Sequence, residues 1–144
     1  MKKFRPKPKK KLFKLLIPVK EFLRDQPGAV KQELNGLIWK LEEDGYLTMP
    51  HAEKIEGENM FAIRVIQTGN IRIFYVYGSY DIIYGIHGYV KKTEQIPEKE
   101  LNQARKILKL LIQGGNIKWK TMPITQPKKK PETATESRAE NGAE

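Results

Sequence analysis

The sequence predicts an α+β domain: N-terminal helices packed on one face of a twisted antiparallel sheet of about four strands, with a C-terminal helix closing the chain. Three observations predict it. Residues 60–87 hold three runs rich in β-branched and aromatic residues, separated by Thr68-Gly69-Asn70 and Gly78-Ser79, spacers of hairpin type. Ahead of them Val30, Leu34, Leu37, Ile38 and Leu41 recur at helical spacing. After them Leu101, Ala104, Leu108 and Leu111 do the same, between Pro97 and Gly114-Gly115.

Taken in order, residues 1–11 form a Lys- and Pro-rich arm expected to be disordered. Residues 12–17 read as a strand, and Pro18 suits the first turn of a short helix to Arg24. Pro27 restarts the chain near the next helix, which Gly45 ends. Residues 47–58, with His51 and Lys54, read as loop. Strands are expected over 60–67, 71–77 and 80–87, and the last helix opens at Pro97. The folded domain is expected to span 12–113. Residues 114–144 form a polar tail whose large apolar residues are Trp119 and Met122.

Composition narrows the chemistry. The chain has no cysteine, which excludes disulfides, a thiol nucleophile and cysteine metal sites, and two histidines argue against zinc. No metal or small-molecule cofactor is expected. No apolar run approaches the roughly 20 residues of a membrane span, and no signal peptide is evident, so a cytoplasmic protein without a membrane partner is expected. The net charge of +10 sits in the tails: residues 1–14 carry eight cations and no acid, whereas 15–112 carry thirteen of each sign. A basic tail strengthens salt-dependent contact with nucleic acid, or simply solubilises the chain.

Register brings the informative residues together, because side chains alternate along strands. With a three-residue first loop, Ile66 opposes Arg72, and with a two-residue second loop Arg72 opposes Gly85. One face then holds Phe61, Ile63, Val65, Ile71, Ile73, Tyr75, Ile82, Tyr84 and Ile86, and should receive the helices. The other holds Ala62, Arg64, Ile66, Arg72, Phe74, Val76, Ile83, Gly85 and His87, and is expected to be open. Continued alternation adds Tyr89 and Lys91 there. Arginines on an exposed face could pair with Asp81 or Glu58. Clustered with His87, Lys91 and Lys92, however, they repel one another unless an anion joins them.

The ordered set Lys54-Ile55-Glu56-Gly57, Arg64-Val65, Arg72-Ile73-Phe74-Tyr75 and His87-Gly88-Tyr89-Val90-Lys91-Lys92-Thr93 before Ile96-Pro97 resembles the RelE/HigB superfamily. These are toxins of bacterial type II toxin–antitoxin systems, and the resemblance over residues 13–111 is to a HigB-like, phage-related branch. It implies a RelE-like microbial ribonuclease fold, ribosome-dependent cleavage of mRNA, and a cognate antitoxin of helix-turn-helix type. It also implies roles by position: Arg64 and Arg72 as strand cations of the active face, Lys91 or Lys92 as a further one, and His51 and Lys54 as a His-x-x-Lys step. Ala62 stands where RelE-type members carry a second lysine, and no C-terminal active-site tyrosine is obvious.

Metal-free RNA cleavage needs the 2′-OH deprotonated, the phosphate's extra charge stabilised and the 5′ oxygen protonated. Arg72, with Arg64 beside it, suits the charge, because arginine stays protonated and grips two oxygens. His87 suits proton transfer, since histidine titrates at about 6.5 unperturbed. Lys91 and Lys92 complete the catalytic candidates. Lys54, His51 and Tyr89 are candidate RNA contacts. No glutamate is expected on the active face, which fits an enzyme relying on the ribosome for positioning. Ile107, Leu110 and Ile112 exceed a narrow core stripe and mark either an antitoxin surface or a wider stripe. A ParE-like gyrase inhibitor on the same fold and a non-catalytic nucleic-acid-binding protein are the competing functions.

Overall fold

The computed structural model describes residues 9–117 and bears out the α+β class. The elements are β1 (Leu12–Leu15), α1 (Ile17–Arg24), α2 (Gly28–Asp44), β2 (Ala52–Lys54), β3 (Phe61–Val65), β4 (Ile71–Tyr77), β5 (Ile82–Val90) and α3 (Glu98–Gln113). Most of the arm expected over 1–11, and of the tail expected over 114–144 with Trp119 and Met122, lies outside the described residues. No described helix is long and apolar enough to cross a membrane.

The sheet has five strands in the order β1-β5-β4-β3-β2, and it is mixed, since β1 runs parallel to β5. The strand β2 falls in the segment expected as loop, pairing antiparallel with β3 through Glu53 opposite Ala62. Strand β1 is locked at its outer edge by Glu42 of α2, whose carboxylate accepts the Phe13 N–H at 2.8 Å and pairs with Lys9. A carboxylate spent on an edge-strand N–H blocks further strand addition there. Gly45 adopts a φ of 84° and caps α2, its N–H bonding Leu41 O, as expected for a helix-ending glycine.

The apolar face received the helices as its pattern required. Val30, Leu34, Leu37 and Leu41 of α2 and Val19 and Leu23 of α1 bury against Ile63, Val65, Ile71, Ile73 and Tyr75. The other face is not open over its length. Ala62, Phe74 and Val76 are fully covered by α3 through Ala104 and Leu111, together with Met60, Tyr84 and Ile86. The sheet is thus the middle of three layers. Its second face combined apolar and charged residues because a helix covers one part and leaves the other to the charges.

Two registers differ from expectation. Between β3 and β4, Arg64 itself opposes Arg72, so the connection is five residues, 66–70. The Glu33 carboxylate explains it by accepting the N–H groups of Ile66, Gln67 and Thr68, which removes them from the ladder. The slip is two residues, so each β3 side chain keeps its expected face. Between β4 and β5, Tyr75 pairs with Gly85 but Phe74 with His87, leaving Ile86 as a bulge. That bulge reverses the faces in the first half of β5: Tyr84 and Ile86 pack under α3, and Ile83 packs with the N-terminal helices. Beyond it, Arg72 opposes Tyr89 and not Gly85.

Candidate functional site

The bulge and the β3–β4 slip together gather Arg64, Arg72, His87 and Tyr89 on one end of the face that α3 partly covers. Arg64 and Arg72 are directly opposed, and Arg72 is flanked on its other side by Tyr89. The ladder of β2 adds Glu53 to the same face. The hydrogen bond from Arg64 N–H to the His51 carbonyl, at 2.8 Å, extends that ladder and places His51 beside Arg64.

Arg72 is 3% exposed, contrary to its expected place on an open face. Its Nη1 donates to Asn70 Oδ1 (3.2 Å) and Ile71 O (3.3 Å). Its Nε lies 3.7 Å from Glu53 Oε1, an ion pair too long for a hydrogen bond. Arg64 donates through Nη1 to Pro50 O at 3.1 Å. The Nε atoms of both arginines, the Tyr89 hydroxyl and His51 Nδ1 are buried without a hydrogen-bond partner among the described residues. Buried donors are normally satisfied, so this concentration in one place is unusual. Burial lowers the pKa of Arg72, the Arg64 charge lowers it further, and Glu53 and Tyr89 oppose both. Tyr89 is 5% exposed, and burial pushes its pKa up to about 12, with Arg72 opposing and Glu53 and Glu100 adding. Its phenol is therefore a neutral donor throughout the physiological range.

His87 Nε2 lies 2.6 Å from Glu100 Oε1, the carboxylate accepting, and the side chains of both are 17% exposed. The ring also stacks on Tyr89 and tilts against Phe74, which fixes its plane. The expectation that no glutamate reaches this face is overturned: Glu100 arrives from α3 and Glu53 from β2. The expected support for ribosome dependence goes with it.

The other sequence candidates divide. Lys91 continues β5, its N–H donating to Asn70 O at 2.7 Å while Asn70 Nδ2 donates to Lys91 O at 2.8 Å. Asn70 thus holds Arg72 and the Lys91 backbone at once. Lys92 is exposed just beyond. Lys54 points elsewhere. It opposes Phe61, whose side chain packs with the N-terminal helices, and its ammonium lies over the Phe61 ring and donates to the Ile55 and Glu58 carbonyls. His51 and Lys54 therefore fall on opposite faces of the edge. On α3, Ile107 and Ile112 join the core, so the wider stripe accounts for them, and Leu110 is left 62% exposed.

Glu53 and Glu100 were missed, and both had a signal. Read as a strand, 51–54 would have placed His51 and Glu53 on one face and Lys54 on the other. Glu100 precedes Ala104 by four residues and so shares the buried stripe of α3. Arg105 is a third unforeseen charge. It clasps Glu58 at 2.6 Å and Glu98 at 2.7 Å, which raises its pKa and fastens α3 to the β2–β3 connection.

A family model described as "Phage derived protein Gp49-like (DUF891)" matches residues 21–109, more than half of the chain and every site residue above. No curated protein matches the chain.

Proposed function

This chain belongs to the phage-derived Gp49-like family, a family of RelE/HigB-like toxins of toxin–antitoxin systems, and from that premise we propose that it is an endoribonuclease toxin. On this reading residues 12–113 form the toxin domain of a HigB-like protein that cleaves mRNA on the ribosome and arrests translation. A cognate antitoxin of helix-turn-helix type restrains it. Residues 1–11 and 114–144 are its flanking arm and tail.

The observation that carries the reading is the pair of opposed arginines, whose buried Nε atoms have no hydrogen-bond partner among the described residues, beside the Tyr89 hydroxyl, which has none either. Two guanidiniums and a phenol offer several N–H and O–H groups to one tetrahedral anion, and guanidinium suits bidentate contact with phosphate. Arg72 and Arg64 hold the scissile phosphate and stabilise the charge that grows on it during 2′-OH attack. His87, oriented by Glu100, takes the 2′ proton. Tyr89 stays protonated and donates to the phosphate or to the departing 5′ oxygen. Lys91 and Lys92 contact the flanking backbone. His51 lies beside Arg64 as an RNA contact, and Lys54 reaches RNA only from the edge of the sheet.

A second reading, cleavage of free RNA without the ribosome, is favoured by the His87–Glu100 pair, which supplies an oriented proton carrier within the chain. Induced expression followed by primer extension on cellular mRNA, with the purified protein tested on free RNA and on programmed ribosomes, separates the two. Growth arrest with new 5′ ends only on translated messages supports the first reading. Equal cleavage of free RNA supports the second. Growth arrest without new RNA ends contradicts both and leaves a gyrase inhibitor of ParE type.

A further inference from the structure

The face that carries Arg64 and Arg72 also carries an acid that no step of the proposed cleavage uses. Glu53 of β2 lies opposite Ala62, and its side chain is 35% exposed. Its carboxylate approaches Arg72 Nε at 3.7 Å, yet it accepts no hydrogen bond among the described residues. A carboxylate that serves to fix a guanidinium commonly takes two short parallel bonds from it. Glu53 stands off instead, near enough to act through its charge.

Both guanidiniums are charged throughout the physiological range. Of the two acids that reach this face, Glu100 is held by His87 Nε2 at 2.6 Å. Glu53 is left to balance the arginine pair, and it offsets one of their two charges. Arg72 senses it, since Glu53 supports the guanidinium charge that burial and Arg64 oppose. A phosphate oxygen taken by Arg72 Nε at about 2.9 Å lies within about 7 Å of the Glu53 carboxylate. That is inside the Debye length of roughly 8 Å at physiological salt, and partly buried charges are screened less than exposed ones. Glu53 therefore repels whatever anion the arginines hold, and it repels a doubly charged one about twice as strongly.

We infer that Glu53 sets the charge of the ligand this site accepts, so that the arginine pair takes a singly charged internal phosphodiester and disfavours a terminal phosphate. A phosphomonoester carries about 1.5 to 2 negative charges at neutral pH, and a diester carries one. The inference rests on the proposed function for the placing of a phosphate at Arg64 and Arg72. It adds which phosphates of an RNA strand occupy that place, and it requires no cleavage.

The test is titration of the full chain with two probes, followed by NMR at the Nε–H signals of the arginines. Thymidine 5′-monophosphate is a monoester, and its methyl ester is a diester of the same nucleoside, so the two differ by one methyl group and one charge. Neither has a 2′-OH. The wild type should bind the methyl ester more tightly. Glu53→Gln keeps the side chain's size and should gain at least about fivefold more affinity for the monophosphate than for the methyl ester, narrowing or reversing the preference. Glu53→Ala should show the same contrast. Glu56→Gln removes an exposed acid from the β2–β3 connection and should leave the wild-type preference in place. Equal gains for both probes, or weaker binding of both, overturn the inference and leave the phosphate site standing. If neither probe shifts an arginine signal, the phosphate site of the proposed function falls, and the inference falls with it.

Discussion

Replacing Glu33 with Gln tests how the β3–β4 connection is held. The carboxylate accepts four hydrogen bonds of 2.8–3.2 Å, from the backbone N–H groups of Ile66, Gln67 and Thr68 and from the Thr68 hydroxyl. Desolvation alone would raise its pKa, but the Thr68 hydroxyl and the three N–H groups outweigh it and leave the pKa below the ordinary carboxylate value. A glutamine can keep the pair to Thr68 but must turn its amide N–H₂ toward the N–H groups of Ile66 and Gln67. Two bonds are lost and the others lose their charge assistance. At about 0.5–1 kcal/mol per net bond in a partly exposed setting, Glu33→Gln should cost about 1–2 kcal/mol at neutral pH. In a unit of about 100 residues, that lowers Tm by about 4–8 °C per kcal/mol. Since the folded-state pKa lies below the unfolded value of about 4.3, the stabilisation is complete above that value. It is lost as pH falls through the folded pKa. Urea unfolding of both proteins from neutral pH to about pH 3 should show a gap that closes toward the acid end. Equal stability at neutral pH, or a gap that persists undiminished in acid, would refute the reasoning.

Three further outcomes are expected. Tyr89→Phe removes a buried hydroxyl without a partner, so urea unfolding should show stability unchanged or slightly raised while cleavage slows at least about tenfold, and no alkaline limb from this residue should appear below about pH 12. Glu100→Gln should slow single-turnover cleavage more than it weakens ribosome binding, because it leaves the phosphate donors in place and loosens only the His87 ring. Gly88→Ala would set a Cβ 2.7 Å from Phe22 and 2.9 Å from Ile73, both in the helix-facing core, and should cost about 1–3 kcal/mol by urea unfolding.

How far the site was legible depended on which errors were even and which were odd. The β3–β4 register slipped by two, so Arg64 and Arg72 were placed on one face although the loop length was misjudged. The β4–β5 register slipped by an odd number in the first half of β5, where Ile83 and Tyr84 exchanged faces, and by an even number past the Ile86 bulge, where His87 and Tyr89 joined Arg72 as expected. A bulge leaves little mark in a sequence. Gly85 and Gly88 flank it, but each is explained equally well by the crowding of Phe13 and Phe22 against the sheet. The second face is not open where Ala62, Phe74 and Val76 lie. Three apolar residues on one sheet face needed a cover, and α3 supplies it. Glu33 and Glu100 act on segments distant in the chain, and although spacing puts Glu100 on the buried stripe of α3, it does not say which loop or ring a helical carboxylate will meet.

The central claim is that Arg64 and Arg72 together bind the scissile phosphate. Single-turnover cleavage of mRNA on programmed ribosomes by Arg72→Lys and Arg72→Gln, each shown folded by its unfolding curve, tests it most directly. Lysine retains a charge but not the planar fork, so it should lose part of the rate. Glutamine should lose about 10²–10³-fold, as expected for removing one transition-state donor. A folded Arg72→Gln protein that cleaves at the wild-type rate would contradict the claim.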